Sequence, residues 1–349
     1  MSALPELRPE VQEAPAAARG GFLVAGSGSI GRRHLENLRR LGETATTLYR
    51  TGRRDPAAPS VEAREEFDLD RALSGRPLAV LVCNPSALHL PVALAAVRAG
   101  AHILVEKPLS HSLHGVQDLE DEVRRQRVVA LVGFQYRFHP GLRRVKQWLE
   151  DRALGQVVSA RVHWGEDLST WHPGEDWRRS YAARADLGGG AVRTLCHPFD
   201  YLRWLLGEVE SVTALTSSEA LGLDVEDLAH VTLRFASGLL ATVTLDYLQW
   251  PRAHGLEIVG TRGRISWTDD DGAAYLHDTV RGRVTPFLPA PRFSRNSMFL
   301  DEMRHFLACF DGDEAPLCGL ADGRAALDIA LAALRSAEEG RHVRIGGPA

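Results

Sequence analysis

Lysine is almost missing from this 349-residue chain: only Lys107 and Lys146 carry it, against an abundance of arginine. With Ala, Leu and Gly also frequent, the bias reads as that of a GC-rich genome and not as a function. An excess of positive charge is missing too. The formal net charge is −4 at pH 7, which argues against a nucleic-acid or anionic-membrane partner, since either needs a basic face. Cysteine is scarce: Cys83, Cys196, Cys309 and Cys318 lie far apart without C-x-x-C spacing, so neither a disulfide framework nor a zinc site is indicated. No stretch approaches the roughly 18 uninterrupted apolar residues of a membrane span. Residues 1–20, rich in Pro and Ala with several Glu, lack the basic start and apolar centre of a signal peptide and read as a mobile leader. These absences together point to the cytoplasm.

What is present is ordinary for a globular protein, with 44% hydrophobic and 25% charged residues. By the soft rule of about 150 residues per domain the length fits two, each able to bury its own core. Over 21–137, apolar runs at 21–25, 44–49, 78–83, 101–105 and 128–133 alternate with helical spacing at 29–41, 91–99 and 112–125, and with an acidic helix-like piece near 68–73. That alternation predicts an α/β fold whose first domain is a doubly wound parallel sheet of Rossmann type. Over 138–349 strands dominate, at 156–164, 211–217, 229–235, 239–247, 255–259 and 263–268, with helices at 141–151, 199–206, 298–311 and 322–338. A second α/β domain on an open, mainly antiparallel sheet follows, for substrate and for oligomerisation. Leu245, Tyr247 and Trp250 are expected on its exposed face, which suggests a homodimer or homotetramer.

Gly26-Ser-Gly28-Ser29-Ile30-Gly31 is G-x-G-x-x-G, placed where a strand ends and a helix opens, which is the context of a dinucleotide-binding turn. Gly26 makes the tight turn, Gly28 lets backbone approach a pyrophosphate, and Gly31 lets the helix pack on the sheet. Free amides at the helix start then face the phosphates. At the end of the second strand an NAD site has Asp or Glu on the ribose. This chain has Arg50, Thr51, Arg53 and Arg54 there. Arginine pairs bidentately with the extra phosphate of NADP, so the expected cofactor is NADP, with NAD bound through backbone as the alternative.

The stretches GSGSIGRRHLENL, CNPSALH, ILVEKPL, VGFQYRFHP, WHPGEDWRRSYAAR and LGGGAVRTLCHPFDYLRWLLGEV follow one another along the chain. In this order they resemble the glucose–fructose oxidoreductase / inositol dehydrogenase / rhizopine-catabolism family (Gfo/Idh/MocA). The resemblance implies a Rossmann domain joined to an open-sheet domain, and oxidation or reduction of sugars, cyclitols or nucleotide sugars with a nicotinamide cofactor. It also implies that Glu106 and Lys107 of the EKP stretch lie at the cofactor, with Lys107 beside nicotinamide and substrate hydroxyl, before a bond to Pro108 that is often cis in the family. The physics agrees. Ligands bind beyond the C-terminal ends of parallel strands, and an ammonium there stabilises the alkoxide that forms as hydride leaves. Asn84, Pro85 and His89 match the family's turn near the nicotinamide ribose. Gln135 and Arg137 end the last strand at the same sheet edge, as cofactor and substrate contacts respectively.

Oxidising a carbinol requires a group that takes the hydroxyl proton, and histidine cycles near neutrality. His197 follows the triplet Gly188–Gly190 and opens an amphipathic helix; with the resemblance it is the expected proton-transfer residue. The family often has an aspartate three or four residues earlier. This chain has Thr194, which hydrogen-bonds but brings no charge, so the chemistry leans on Lys107 or favours ketone reduction. Trp177 and Tyr181 offer aromatic faces to a sugar, and His172, Arg193 and Thr194 offer polar contacts. Arg178, Arg179 and Arg193 also suit a diphosphate. His163, Glu166, His172 and Glu175 match no metal-ligand set, and no metal is expected. Two other readings stay open: a glycoside hydrolase that uses NAD transiently on the same fold, and a silent sensor of NADP, which would have no need of both Lys107 and His197.

Overall fold

The computed structural model describes residues 21–52, 62–171, 174 and 176–346. The leader 1–20, Arg53, Arg54, His172 and Glu175 lie outside the described residues.

The first half is built on six strands: β1 (Phe22–Ala25), β2 (Thr46–Tyr49), β3 (Arg64–Glu66), β4 (Ala79–Val82), β5 (His102–Glu106) and β6 (Ala130–Gly133). They are parallel throughout, in the spatial order β3-β2-β1-β4-β5-β6. Helices α1 (Ser29–Arg40), α2 (Leu69–Ser74), α3 (His89–Arg98) and α4 (Val116–Gln126) connect them. β1 and β4 are buried along their whole length, as strands covered on both faces must be. The chain order reverses between β1 and β4, and the crevice beyond their C-terminal ends is where such sheets bind ligands.

The second half begins with α5 (Pro140–Glu150) and carries nine strands: β7 (Val157–Gly165), β8 (Val209–Ser217), β9 (Leu228–Phe235), β10 (Leu240–Asp246), β11 (Ala253–Gly260), β12 (Gly263–Thr268), β13 (Ala274–Asp278), β14 (Arg283–Phe287) and β15 (Val343–Arg344). Their order is β14-β13-β12-β11-β7-β10-β9-β8-β15, with only β7 and β10 paired in parallel. Helices α6 (Ala191–Thr194), α7 (His197–Leu206), α8 (Arg295–Ala308) and α9 (Leu320–Glu339) complete it. Period-two alternation sends Val162, Trp164, Val231, Leu233, Val243, Leu245, Ile258 and Trp267 into the core.

Two expectations are corrected here. Leu245 and Tyr247 are fully buried on the inner face, and of that trio only Trp250 is exposed. The outer face carries Leu215, Leu240, Val259 and Val284 instead. β3, β13, β14 and β15 were not anticipated: β3 reads Arg-Glu-Glu, β15 spans two residues, and Pro286 sits in the edge strand β14, where a missing N–H costs nothing.

The last helices return to the nucleotide half. Met303 and Phe306 of α8 share one core cluster with Phe22, Leu104 and Leu131. On α9 a Cβ at Gly323 would stand 2.6 Å from Val132 Cγ2, so that helix lies directly on β6. No helix of the described residues is long and apolar enough to cross a membrane.

Candidate active site

The glycine turn follows β1. Gly26 has φ of 121°, and a Cβ there would meet the Cys83 carbonyl oxygen at 2.6 Å. A Cβ at Gly31 would fall 2.0 Å from the Gly26 carbonyl oxygen. At Gly28 nothing lies within 4 Å. Two glycines are therefore required by the chain's own packing, and the middle one keeps an approach clear for a group from outside. α1 starts with no side-chain cap and no acid in its first turn, so the amides near Ser29 and Ile30 are free for an anion. A dinucleotide pyrophosphate fits this cradle.

β5 delivers Lys107 to the same edge, before a cis bond to Pro108. Its Nζ donates to the Thr194 carbonyl oxygen at 2.8 Å, bridging the first half to α6. Burial pulls this ammonium's pKa down, but Tyr181, Cys196 and Glu106 outweigh it, and Lys107 sits above the ordinary lysine value. It stays charged.

His197 opens α7, which has Pro198 in its first turn. The ring is 2% exposed, stacks on Trp164 at 5.4 Å between centroids, and meets Tyr136 edge-on at 4.9 Å. Its Nε2 lies 3.3 Å from Gln135 Nε2. Burial first, then the charges of Lys107, His254 and Arg295, push its pKa well below the ordinary histidine value, so the ring is neutral. His197 Nδ1 and Gln135 Oε1 are buried without a hydrogen-bond partner. A bound ligand would satisfy both.

Behind His197 stands a polar wall that the sequence did not reveal. Trp164 stacks on His254 at 4.1 Å. His254 contacts the Tyr201 hydroxyl at 3.1 Å and the Tyr136 hydroxyl at 3.3 Å. Tyr136 donates to Asp269 at 3.0 Å, and Arg252 pairs with the same carboxylate at 3.0 Å. These residues come from β6's exit, β7, β11, α7 and the turn after β12, so no local motif announces them. The one available signal was Trp164 closing the buried alternation of Ala160 and Val162.

Several expected contacts have other duties. Arg137 is 2% exposed and faces away from the cleft: it pairs with Asp200 at 2.6 Å and Asp322 at 3.2 Å and donates to the Leu317 carbonyl. The Glu106 carboxylate points inward to His34 at 2.7 Å. His89, also buried, lies 2.9 Å from the Pro108 carbonyl and 2.8 Å from that of Asn84, bracing the β4 and β5 exits against each other. Arg50 pairs with Glu65 at 2.8 Å and donates to the Gly52 carbonyl. Thr51 is exposed, Asn84 donates to the Leu88 carbonyl, and Pro85 leads into the turn that follows β4. Trp177 is half-buried under the Arg178 guanidinium. Tyr181, Thr194 and half-buried Arg193 lie at the Lys107 end. Among the described residues no group of three or more His, Cys, Asp or Glu is placed to hold a metal ion.

Residues 21–134 match the oxidoreductase family with NAD-binding Rossmann fold, and residues 142–266 match the GFO/IDH/MocA C-terminal domain. The two models describe the halves of one protein family and together take in well over half of the chain. The chain belongs to the Gfo/Idh/MocA family. As a Gfo/Idh/MocA protein it is an oxidoreductase whose first half is the NAD-binding domain. Myo-inositol 2-dehydrogenase of Thermotoga maritima is 27% identical to it over 338 residues, spanning 92% of this chain and 97% of that one. The crystal structure of GenD2 from gentamicin A biosynthesis, in complex with NAD, is 27% identical with a TM-score of 0.79, covering 97% of this chain and 100% of that one. Levoglucosan dehydrogenase in complex with NADH and levoglucosan shares the fold, with a TM-score of 0.84 at 21% identity over 94% of this chain and 100% of that one.

Proposed function

We propose that this Gfo/Idh/MocA chain transfers a hydride between NAD(H) and a hydroxyl-bearing or keto carbon of a sugar, cyclitol or nucleotide sugar. The observation that carries the reading is the meeting of a permanently charged Lys107 and a neutral, under-bonded His197 at the ligand edge of the sheet. Gly26, Gly28, Gly31 and the start of α1 would hold the dinucleotide, whose nicotinamide supplies the hydride acceptor or donor when bound.

The rest is done by side chains. The Lys107 ammonium holds the substrate oxygen and stabilises the negative charge that grows on it. Neutral His197 takes the hydroxyl proton in oxidation, while Gln135 and Trp164 keep its ring in plane. Because its pKa is low, it gives that proton up readily to water or, in the reverse direction, to the substrate oxygen. NAD is favoured over NADP because Glu65 already occupies the Arg50 guanidinium. The exposed Leu215, Leu240, Val259 and Val284 support a homodimer or homotetramer formed through the outer sheet face. Four unpaired, buried cysteines suit the reducing cytoplasm.

The test is NADH fluorescence titration followed by single-turnover hydride transfer in Lys107→Ala. Transfer is expected to fall about 10³-fold with NADH affinity little changed. Wild-type rates in the variant would remove Lys107 from the chemistry and leave the protein a nucleotide binder.

A further inference from the structure

We propose that the substrate carries an anionic group, a carboxylate or a phosphate, close to the reacting carbon, and that Arg193 and Arg295 receive it. The inference rests on the hydride-transfer reading above and narrows its substrate class.

Two arginines near Lys107 and His197 form no ion pair among the described residues. Arg193 immediately precedes Thr194, whose carbonyl fixes Lys107. Its guanidinium is half-buried, one Nη donates to the Gly189 carbonyl at 3.2 Å, and its Nε is buried with no partner. Its charge reaches His111, just beyond the EKPL stretch, whose pKa is lowered by burial and then by Arg193. Arg295 is exposed at the first turn of α8 and forms no hydrogen bond or ion pair among the described residues. The contacts around it place it beside α1. Its neighbour Asn296 exchanges side-chain hydrogen bonds with Asn37 of α1 at 2.8 and 3.3 Å, and Phe299, one turn on, lies 4.6 Å beneath Arg33. From there its charge bears on Lys107, His197, His254 and Tyr136.

Among the described residues no nearby carboxylate forms an ion pair with either cation, although Asp269 feels the Arg295 charge. Glu106 is bonded to His34, Asp200 to Arg137, and Asp269 to Tyr136 and Arg252. Glu226 accepts the Val192 N–H at 2.9 Å; burial raises its pKa, and the charge of Arg193 offsets only part of that rise without a direct ion pair. A half-buried guanidinium such as Arg193 that lacks a paired carboxylate is costly, and one with a free Nε is shaped for two parallel bonds to a carboxylate or phosphate. The dinucleotide's own phosphates have the glycine turn and the α1 amides. An anion at Arg193 would also offset the repulsion that Lys107 and Arg295 exert on an imidazolium, making His197 a stronger base.

The experiment compares D-glucuronate and D-glucose 6-phosphate with D-glucose as probes of the NADH-bound full-length protein, by fluorescence titration and steady-state kinetics. At least one anion is expected to bind about tenfold more tightly than glucose at low salt. The gap should narrow as salt approaches about 0.3 M. Arg193→Gln should close it by raising KM with kcat little changed, and Arg193→Lys should keep part of it. Arg295→Gln, at an exposed position where folding is not at stake, should weaken it about threefold. No preference for either anion overturns the proposal. So does a shift in NADH affinity, and not in sugar affinity, on substituting Arg193, because the cation would then serve the cofactor. The hydride-transfer reading fails separately, through absent NADH binding in the first titration.

Discussion

Six parallel strands covered on both faces make the nucleotide half, whereas the nine-stranded sheet of the second half keeps one face open. The two halves also make their sites from different material. In the first, the site is backbone: Gly26, Gly28, Gly31 and the amides of α1. In the second, it is a set of side chains carried by separate elements, with Trp164, Thr194 and His197 meeting only in space and Gln135 reaching His197 from the first half. A backbone site tolerates no side chain at its tight points; a side-chain site is only as good as the packing that aims it.

The largest effect is expected at the seam between these two kinds of construction. Arg137 closes the first half and Asp200 lies on α7, and both side chains are at most 3% exposed. Burial raises the Asp200 carboxyl's pKa, and the contacts from Arg137 hold that rise back. Arg137→Met leaves a buried acid without its partner and should cost about 3–5 kcal/mol in urea unfolding. Arg137→Met with Asp200→Leu should recover most of the loss. A single substitution costing less than about 1 kcal/mol would mean that apolar contacts alone hold the halves together.

Next in size is a contrast inside the backbone site. Gly31→Ala forces a Cβ to 2.0 Å from a carbonyl oxygen and should destabilise the fold by about 3 kcal/mol, taking NADH binding with it. Gly28→Ala meets nothing, so thermal unfolding should be unchanged while NADH affinity falls about tenfold or more. Equal affinity in Gly28→Ala and wild type would show that the dinucleotide does not pass over that turn.

This contrast explains what was readable in the chain. The G-x-G-x-x-G turn and the EKP strand end were legible because a backbone site ties function to spacing along a few residues. The alternation of strand and helix likewise gave both sheets. Arg137, His89 and Glu106 brace their neighbours in this fold, a duty sequence did not show because a polar residue at a sheet edge serves equally as a contact for ligand or as a brace. Asp200, in the apolar run of α7, and Asp269 and His254, in polar turns and strand starts, give no sign along the chain of the wall they build behind His197. On α8, Glu302 gives no sign of its burial either: it is 1% exposed between Phe299 and Met303, with neither carboxyl oxygen hydrogen-bonded.

A third test separates the halves by pH. His139 caps α5 through Nδ1, accepting the Gly141 N–H at 3.0 Å, and burial lowers its pKa to about 3. Asp269 lies 3.7 Å away, too far for a hydrogen bond, and its charge is shared by Arg252 and Tyr136. The folded pKa is below the unfolded value near 6.5, so the unfolded chain takes this proton first and stability is lost as pH falls from about 6.5 toward 3. The slope from one such group is about 1.4 kcal/mol per pH unit. His139→Asn keeps a capping side chain, and its stability should fall less steeply than wild type by that amount between about pH 6 and 4. Taking the difference between the two proteins cancels the buried carboxyls whose pKa values are raised and which titrate in both. Parallel slopes would show that His139 titrates normally and that water reaches the wall behind the site.

The smallest expected effect probes a place where a side chain, and not backbone, would set selectivity in the nucleotide half. Arg50 follows β2, its guanidinium paired with Glu65 and stacked 4.8 Å over the Phe67 ring. Free, it would pair with the phosphate that distinguishes NADP from NAD. Paired, it offers no net charge, and Glu65 itself would repel that phosphate. Glu65→Gln keeps the shape and removes the negative charge. It should raise NADPH affinity relative to NADH by about tenfold, the scale of one charge-assisted hydrogen bond at a partly exposed pair. Arg50→Ala in the same background should abolish the gain, since the phosphate would then have no partner. An unchanged ratio in Glu65→Gln would place the ribose out of reach of Arg50. The discrimination between the two cofactors would then reside in the backbone, making the nucleotide half a backbone site throughout.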